Sequence, residues 1–216
     1  LRADISGDPG AVAGSDRKES SIRLLLVDLD DTLLDHTGTT RRVLAEMRGR
    51  YGSLQELTLA ELVRRHAEEL EKFHPRVLTG ALTLDESRAL RMQALFEGAG
   101  ERLTSRQALQ RARTFRTVYQ HSRRAVPGAA RFLRWAHDRA LVSVVTNNLL
   151  EEQREKLRFL GLAEHVDDLV TSEELGAMKP DPAVFAAAIE RARVPRAAAV
   201  VLGDSWGADV VGAHNA

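Results

Sequence analysis

Residues 22–27 form an almost wholly apolar run that breaks off abruptly into Asp28-Leu29-Asp30-Asp31. A strand of that composition has no wet face, so it belongs inside a parallel sheet covered on both sides. Parallel neighbours need long crossovers, usually helices, which commits the rest of the chain to alternation. That alternation is present. Three further strand-length segments follow at 141–145, 168–171 and 198–202, with helical patterns between them. Residues 128–138 follow Pro127, residues 149–160 end at Gly161, and residues 183–192 follow Pro182. Proline thus stands at helix starts and glycine at a helix end. The expected fold is α/β, a doubly wound (Rossmann-like) parallel sheet with right-handed crossovers.

Residues 38–125 depart from this rhythm and contain no convincing strand. Thr83-Leu84-Asp85-Glu86 and Thr104-Ser105-Arg106-Gln107 have the spacing of capping boxes, and helices are expected near 40–50, 58–78, 84–97 and 105–122. The expected division is an α/β core at 21–37 and 126–216, an inserted all-α cap at 38–125, and a disordered tail at 1–20. The insertion holds 16 Arg and Lys72 against nine Glu and Asp85, in a chain with 31 basic and 31 acidic residues overall. An electropositive lid over an acidic floor draws anions; arginine on solvated helix faces gives the same count.

Zero net charge offers no reason to expect a nucleic-acid partner, and no apolar run approaches the roughly 20 residues that span a bilayer. The chain has no cysteine, which removes thiolate catalysis, disulfides and cysteine-bound metals and suits a cytoplasmic setting. It starts at Leu1, and Asn215-Ala216 falls within a helical pattern. A fragment is therefore expected, with the strand at 198–202 left on an open edge and the last edge strand missing.

Four short segments carry chemistry. Asp28-Leu29-Asp30-Asp31-Thr32 follows the first strand, and three carboxylates so close together repel one another unless a cation joins them. Thr146-Asn147 ends the second strand, where a hydroxyl and helix-start N–H groups can hold phosphate oxygens. Lys179-Pro180-Asp181-Pro182 presents an ammonium on a proline-stiffened loop. Gly203-Asp204-Ser205-Trp206-Gly207-Ala208-Asp209 pairs a turn-permitting glycine with two carboxylates for a hard cation. Each segment alone also has a bland reading as a cap or a turn; their conjunction, each ending an expected strand or entering a helix, is what singles them out.

Together, in this order, the four segments resemble the motifs of the haloacid dehalogenase (HAD) superfamily phosphatases, whose first motif is D-x-D-x-[TV]; no motif position is substituted. The resemblance spans 22–216. It implies a Mg²⁺-dependent phosphomonoester hydrolase acting on a small phosphorylated metabolite through an aspartyl-phosphate. It implies Asp28 as nucleophile and Asp30 as general acid/base, with Thr146, Asn147 and Lys179 holding phosphate. The metal would be held by Asp28, the backbone carbonyl of Asp30 and Asp204, with Asp209 acting through water. Asp30, beside Asp28, is expected to keep a proton near neutrality. About 115 residues separate Asp28 from Thr146 and about 30 separate Thr146 from Lys179, which places the cap after the first motif. His36, Arg41, Arg42, His74 and Arg76 are candidate cap contacts. Haloacid dehalogenases lack an acid at the position of Asp30. A sugar phosphomutase or a catalytically silent binding module of the same superfamily are the alternatives.

Overall fold

The computed structural model describes residues 22–216; the tail expected at 1–20 lies outside them. Four strands form one parallel sheet: β1 (Leu24–Val27), β2 (Leu141–Thr146), β3 (Asp168–Thr171) and β4 (Ala199–Leu202), in the order β3-β2-β1-β4. Val27 lies level with Val144 on one side and Leu202 on the other, and Thr146 lies level with Thr171. All four strands therefore release their following loops along one edge. The chain steps outward from β1 to β3 and then crosses back to β4, so the strand order reverses beside β1. Such a switch point opens a ligand crevice.

Between β1 and β2 come α1 (His36–Arg50), α2 (Leu59–Leu78), α3 (Leu84–Glu97) and α4 (Ser105–Ser122). Both capping boxes form, at Thr83–Glu86 and Thr104–Gln107. These helices bury their own core of Val43, Leu44, Met47, Leu62, Leu95 and Phe96. Helix α1 starts four residues before the expected position, for a local reason. Asp35 Oδ1 accepts from the Gly38 N–H at 2.9 Å, while Asp31 accepts from both the N–H and the hydroxyl of Thr37, at 2.7 and 2.6 Å. The third carboxylate of the first motif is thus occupied at a helix start.

Helices α5 (Ala129–His137) and α6 (Leu150–Phe159) cover one face of the sheet, where Leu133 and Leu157 meet Leu25, Val27, Val142 and Val144. After the short α7 (Ser172–Leu175), α8 (Pro182–Ala192) covers the other face, packing Val184, Phe185 and Ala188 on Leu24, Leu26, Val145 and Val170. The apolar run of β1 is consumed by both layers. Among the described residues β4 pairs with β1 alone, and Val200 and Leu202 are partly exposed.

The two passages between core and helical insertion run side by side. Leu34 bridges Ala125, the Val126 N–H donates to the Leu33 carbonyl at 2.9 Å, and the Asp35 N–H donates to the Arg124 carbonyl at 2.9 Å. Among the described residues no helix is long and apolar enough to cross a membrane.

Candidate active site

Asp28 leaves β1 at the loop-bearing edge and is buried. Its Oδ1 accepts from Lys179 Nζ at 2.6 Å, and the same ammonium donates to Asp209 Oδ1 at 2.6 Å. Lys179 is held there by Asn147. The Asn147 Nδ2 donates to the Lys179 carbonyl at 2.8 Å, and the Lys179 N–H donates to Asn147 Oδ1 at 2.7 Å. The Asn147 side chain, expected on phosphate, is thus taken up by the Lys179 backbone. Thr146, at the buried end of β2, accepts from Gln153 Nε2 at 2.6 Å, which leaves its own hydroxyl proton to donate. Helix α6 begins only at Leu150, whose N–H already donates to Glu173 Oε2 at 2.8 Å.

Asp204 is exposed and Asp209 is buried. Carboxylate oxygens of Asp28, Asp204 and Asp209 all lie within 4.8 Å of one another. A Cβ at Gly203 would sit 2.2 Å from the Asp209 carboxylate, so glycine is what lets that acid fold in under the loop. Asp209 Oδ2 also accepts from the Ser205 N–H at 3.1 Å, while Asp204 Oδ1 accepts only a long 3.4 Å bond from Thr32 Oγ1. Three carboxylates face one ammonium, and every available donor atom is a hard oxygen. That set fits a cation such as Mg²⁺. Burial foremost, then the charges of Asp31 and Asp209, raise the proton affinity of Asp204. Burial also pushes the Asp28 carboxyl up to about 7, against the pull of Lys179.

Asp30 differs from expectation. Lys156 Nζ donates to both of its carboxylate oxygens at 2.7 Å, Gln153 Nε2 donates at 3.2 Å, and His36 Nδ1 stands 3.9 Å away. Burial alone would raise its proton affinity, but Lys156 and His36 overcome that and hold the carboxyl well below its usual range. Proton affinity is thus lowered at Asp30 and raised at Asp28, the reverse of the expectation, because a lysine reaches across from α6 to Asp30. Gln153 and Lys156 sit three residues apart on the inward side of α6, whose apolar members Leu157 and Leu160 pack on the sheet's core. A polar pair on an apolar stripe was the available signal.

Above Asp30 lies a cavity of about 290 Å³ between core and insertion. Of the candidate cap contacts, His36 and His74 line it. His36 Nδ1 shares a 2.6 Å hydrogen bond with the Tyr119 hydroxyl, and His74 Nε2 donates to the Asn147 carbonyl at 3.0 Å. Arg42 is spent on Asp35 at 3.1 Å and Thr39 at 2.9 Å, and Arg41 and Arg76 are exposed away from the cavity. The basic residues that do reach it went unremarked in the sequence. Arg88 and Arg116 pair with Glu152 at 2.8 and 3.0 Å, and Arg123 grips Glu155 with two bonds of 3.0 and 2.8 Å. These ion pairs fasten the insertion onto α6.

The family model of haloacid dehalogenase-like hydrolases matches residues 22–216, and the chain belongs to that family. It is 32% identical over 214 residues to a phosphoserine phosphatase of Thermus thermophilus, covering 89% of this chain and 85% of that one. Among solved structures it resembles the magnesium-bound HAD hydrolase YfnB of Bacillus subtilis, with a TM-score of 0.67, 24% identity and coverage of 90% and 85% of the two chains. It also resembles a 2-haloacid dehalogenase of Pseudomonas syringae, with a TM-score of 0.60, 27% identity and coverage of 90% and 83%.

Proposed function

We propose that this hydrolase is a phosphomonoesterase in which Asp28 takes up the phosphoryl group. The observation that carries the reading is the buried Asp28–Lys179–Asp209 chain of 2.6 Å contacts, set where Asp204 and Asp30 converge on the same loop edge. A phosphoryl dianion approaches a carboxylate only where cations offset the repulsion. Lys179 supplies one such charge and holds the attacking oxygen in place. Asp28, Asp204 and the Asp30 carbonyl would hold Mg²⁺, with Asp209, whose oxygens are both engaged, acting through water. The metal, when bound, supplies a second positive charge against the phosphoryl oxygens.

Asp28 Oδ attacks phosphorus as the bond from phosphorus to the leaving oxygen breaks, and Asp30 gives that oxygen its proton. Asp30, then a carboxylate, takes a proton from water; the water oxygen attacks phosphorus, and the bond to Asp28 breaks to release inorganic phosphate. Lys156 favours the carboxylate form, the one needed for the second half of the cycle. The first half needs a proton on Asp30, and an arriving phosphoryl dianion raises its proton affinity. The hydroxyl of Thr146 donates to phosphate, and Asn147 acts as the positioning residue for Lys179. The helical insertion at 38–125 serves as the lid that excludes water and meets the leaving group.

An acid at position 30 favours phosphate esters over halocarboxylates. The test is hydrolysis of p-nitrophenyl phosphate with and without Mg²⁺. Metal-dependent turnover that disappears in Asp28→Asn supports the reading. No turnover would leave a silent binding module, and net isomerisation of a sugar phosphate without phosphate release would make it a mutase.

A further inference from the structure

Every acidic group that lines the cavity is already paired: Asp30 with Lys156, Glu152 with Arg88 and Arg116, and Glu155 with Arg123. One cation is left over. Arg91, on α3, lines the same cavity, has no ion pair or hydrogen bond among the described residues, and its Nε is buried without a partner. Nothing nearby offsets its charge; burial foremost, and then the like charge of Arg88, push its proton affinity down to about 10. A desolvated guanidinium without a counter-ion costs free energy that an incoming anion would recover.

The surroundings narrow the anion's chemistry. Thr40 is almost fully buried on the cavity wall, and its hydroxyl has no partner. His66, stacked at 5.0 Å on Phe115, is kept neutral, its proton affinity lowered by burial first and by Arg91 next. Leu70, Met92 and Phe115 complete an apolar wall. One unmatched positive charge in a fork geometry fits one carboxylate; a second phosphate dianion would need a further cation, and the others are taken. The cavity volume of about 290 Å³ is at the low end for ligand sites, suited to a leaving group of a few carbons.

We infer that the lid cavity selects phosphomonoesters of short hydroxycarboxylic acids, Arg91 binding the carboxylate distal to the ester oxygen. This rests on the phosphatase reading and extends it to substrate class. The experiment compares 3-phosphoglycerate with glycerol 3-phosphate, which has a hydroxymethyl group in place of the carboxylate, and with propane-1,3-diol bisphosphate. A charge-assisted pair predicts at least about tenfold higher kcat/KM for 3-phosphoglycerate, expressed mainly in KM. Arg91→Met should collapse that ratio towards one, and Arg91→Lys should restore part of it. Equal kcat/KM for the first two esters, or a ratio that survives Arg91→Met, overturns the inference while leaving the phosphatase reading intact. Preference for the bisphosphate overturns the carboxylate assignment. No hydrolysis of any ester, p-nitrophenyl phosphate included, overturns both.

Discussion

Two aspartates two residues apart have their proton affinities shifted in opposite directions by their neighbours. Burial dominates at Asp28, whereas at Asp30 the charges of Lys156 and His36 and the hydrogen bonds from Lys156 and Gln153 together outweigh it. In the metal-free protein the raised Asp28 value, about 7, favours the fold at low pH. That contribution is complete below the ordinary carboxylate range and is lost as pH rises through the folded value. A cation requires the carboxylate, so uptake of Mg²⁺ should release close to one proton at pH 6 and almost none at pH 8. Calorimetric titrations in buffers of different ionisation enthalpy count those protons; equal release at both pH values would contradict the assignment. The chemistry separates the same two residues. Asp28→Asn should lower turnover by about four orders of magnitude or more, as removal of a nucleophile does. Asp30→Asn should instead accumulate phosphorylated protein, detected as an added phosphate by mass spectrometry. Phosphate accumulating in Asp28→Asn, and not in Asp30→Asn, would reverse the roles.

Helix α6 is the element on which the site turns. Its inward side sends Gln153 and Lys156 down to Thr146 and Asp30, and its lid-facing side offers Glu152 and Glu155 to three arginines. Arg123 is buried, and its pair with Glu155 is two-pronged. Arg123→Met should cost about 1–3 kcal/mol, the range for a hydrogen-bonded charge, and lower the melting temperature by about 2–4 °C for each kcal/mol. A melting temperature within 1 °C of wild type, read by differential scanning calorimetry on the same scale, would mean that the pair contributes nothing. This is also where the sequence falls silent. The strands, the lid helices and both capping boxes are local patterns of composition, read from neighbours in the chain, and apart from the early start of α1 they lie close to where those patterns put them. The link from Lys156 to Asp30 joins residues 126 apart, and it exists only because α6 packs against the sheet from which Asp30 emerges. Arg91 looks in sequence like any arginine on a surface helix. Only the closed lid turns it into an unmatched charge. The motifs were legible because three of them stand at the end of a strand and the fourth, at Lys179, leads into a helix.

For the molecule as a whole, a cation held by the proposed site of Asp28, Asp204 and Asp209 would bind the folded state alone. Mg²⁺ at a hundred times its dissociation constant should add about 2.7 kcal/mol by mass action. Melting temperature should therefore climb with Mg²⁺ and return to baseline with chelator. Asp204→Ala should abolish most of that climb and Asp209→Ala less of it, if Asp204 is the direct ligand. Equal losses would erase the distinction between them.

The side-by-side passage of the two linkers, with Leu34 bridging Ala125, reaches beyond this one chain. Entry and exit of the helical insertion meet at a single point on the sheet, so to the sheet the whole lid is one long hairpin loop. The entropy of closing such a loop grows by only about 0.6 kcal/mol for each doubling of its length. A lid can therefore be lengthened, shortened or replaced at that seam with little cost to the strands beneath. The sheet with its loop edge and the helical insertion above it can thus change independently of each other.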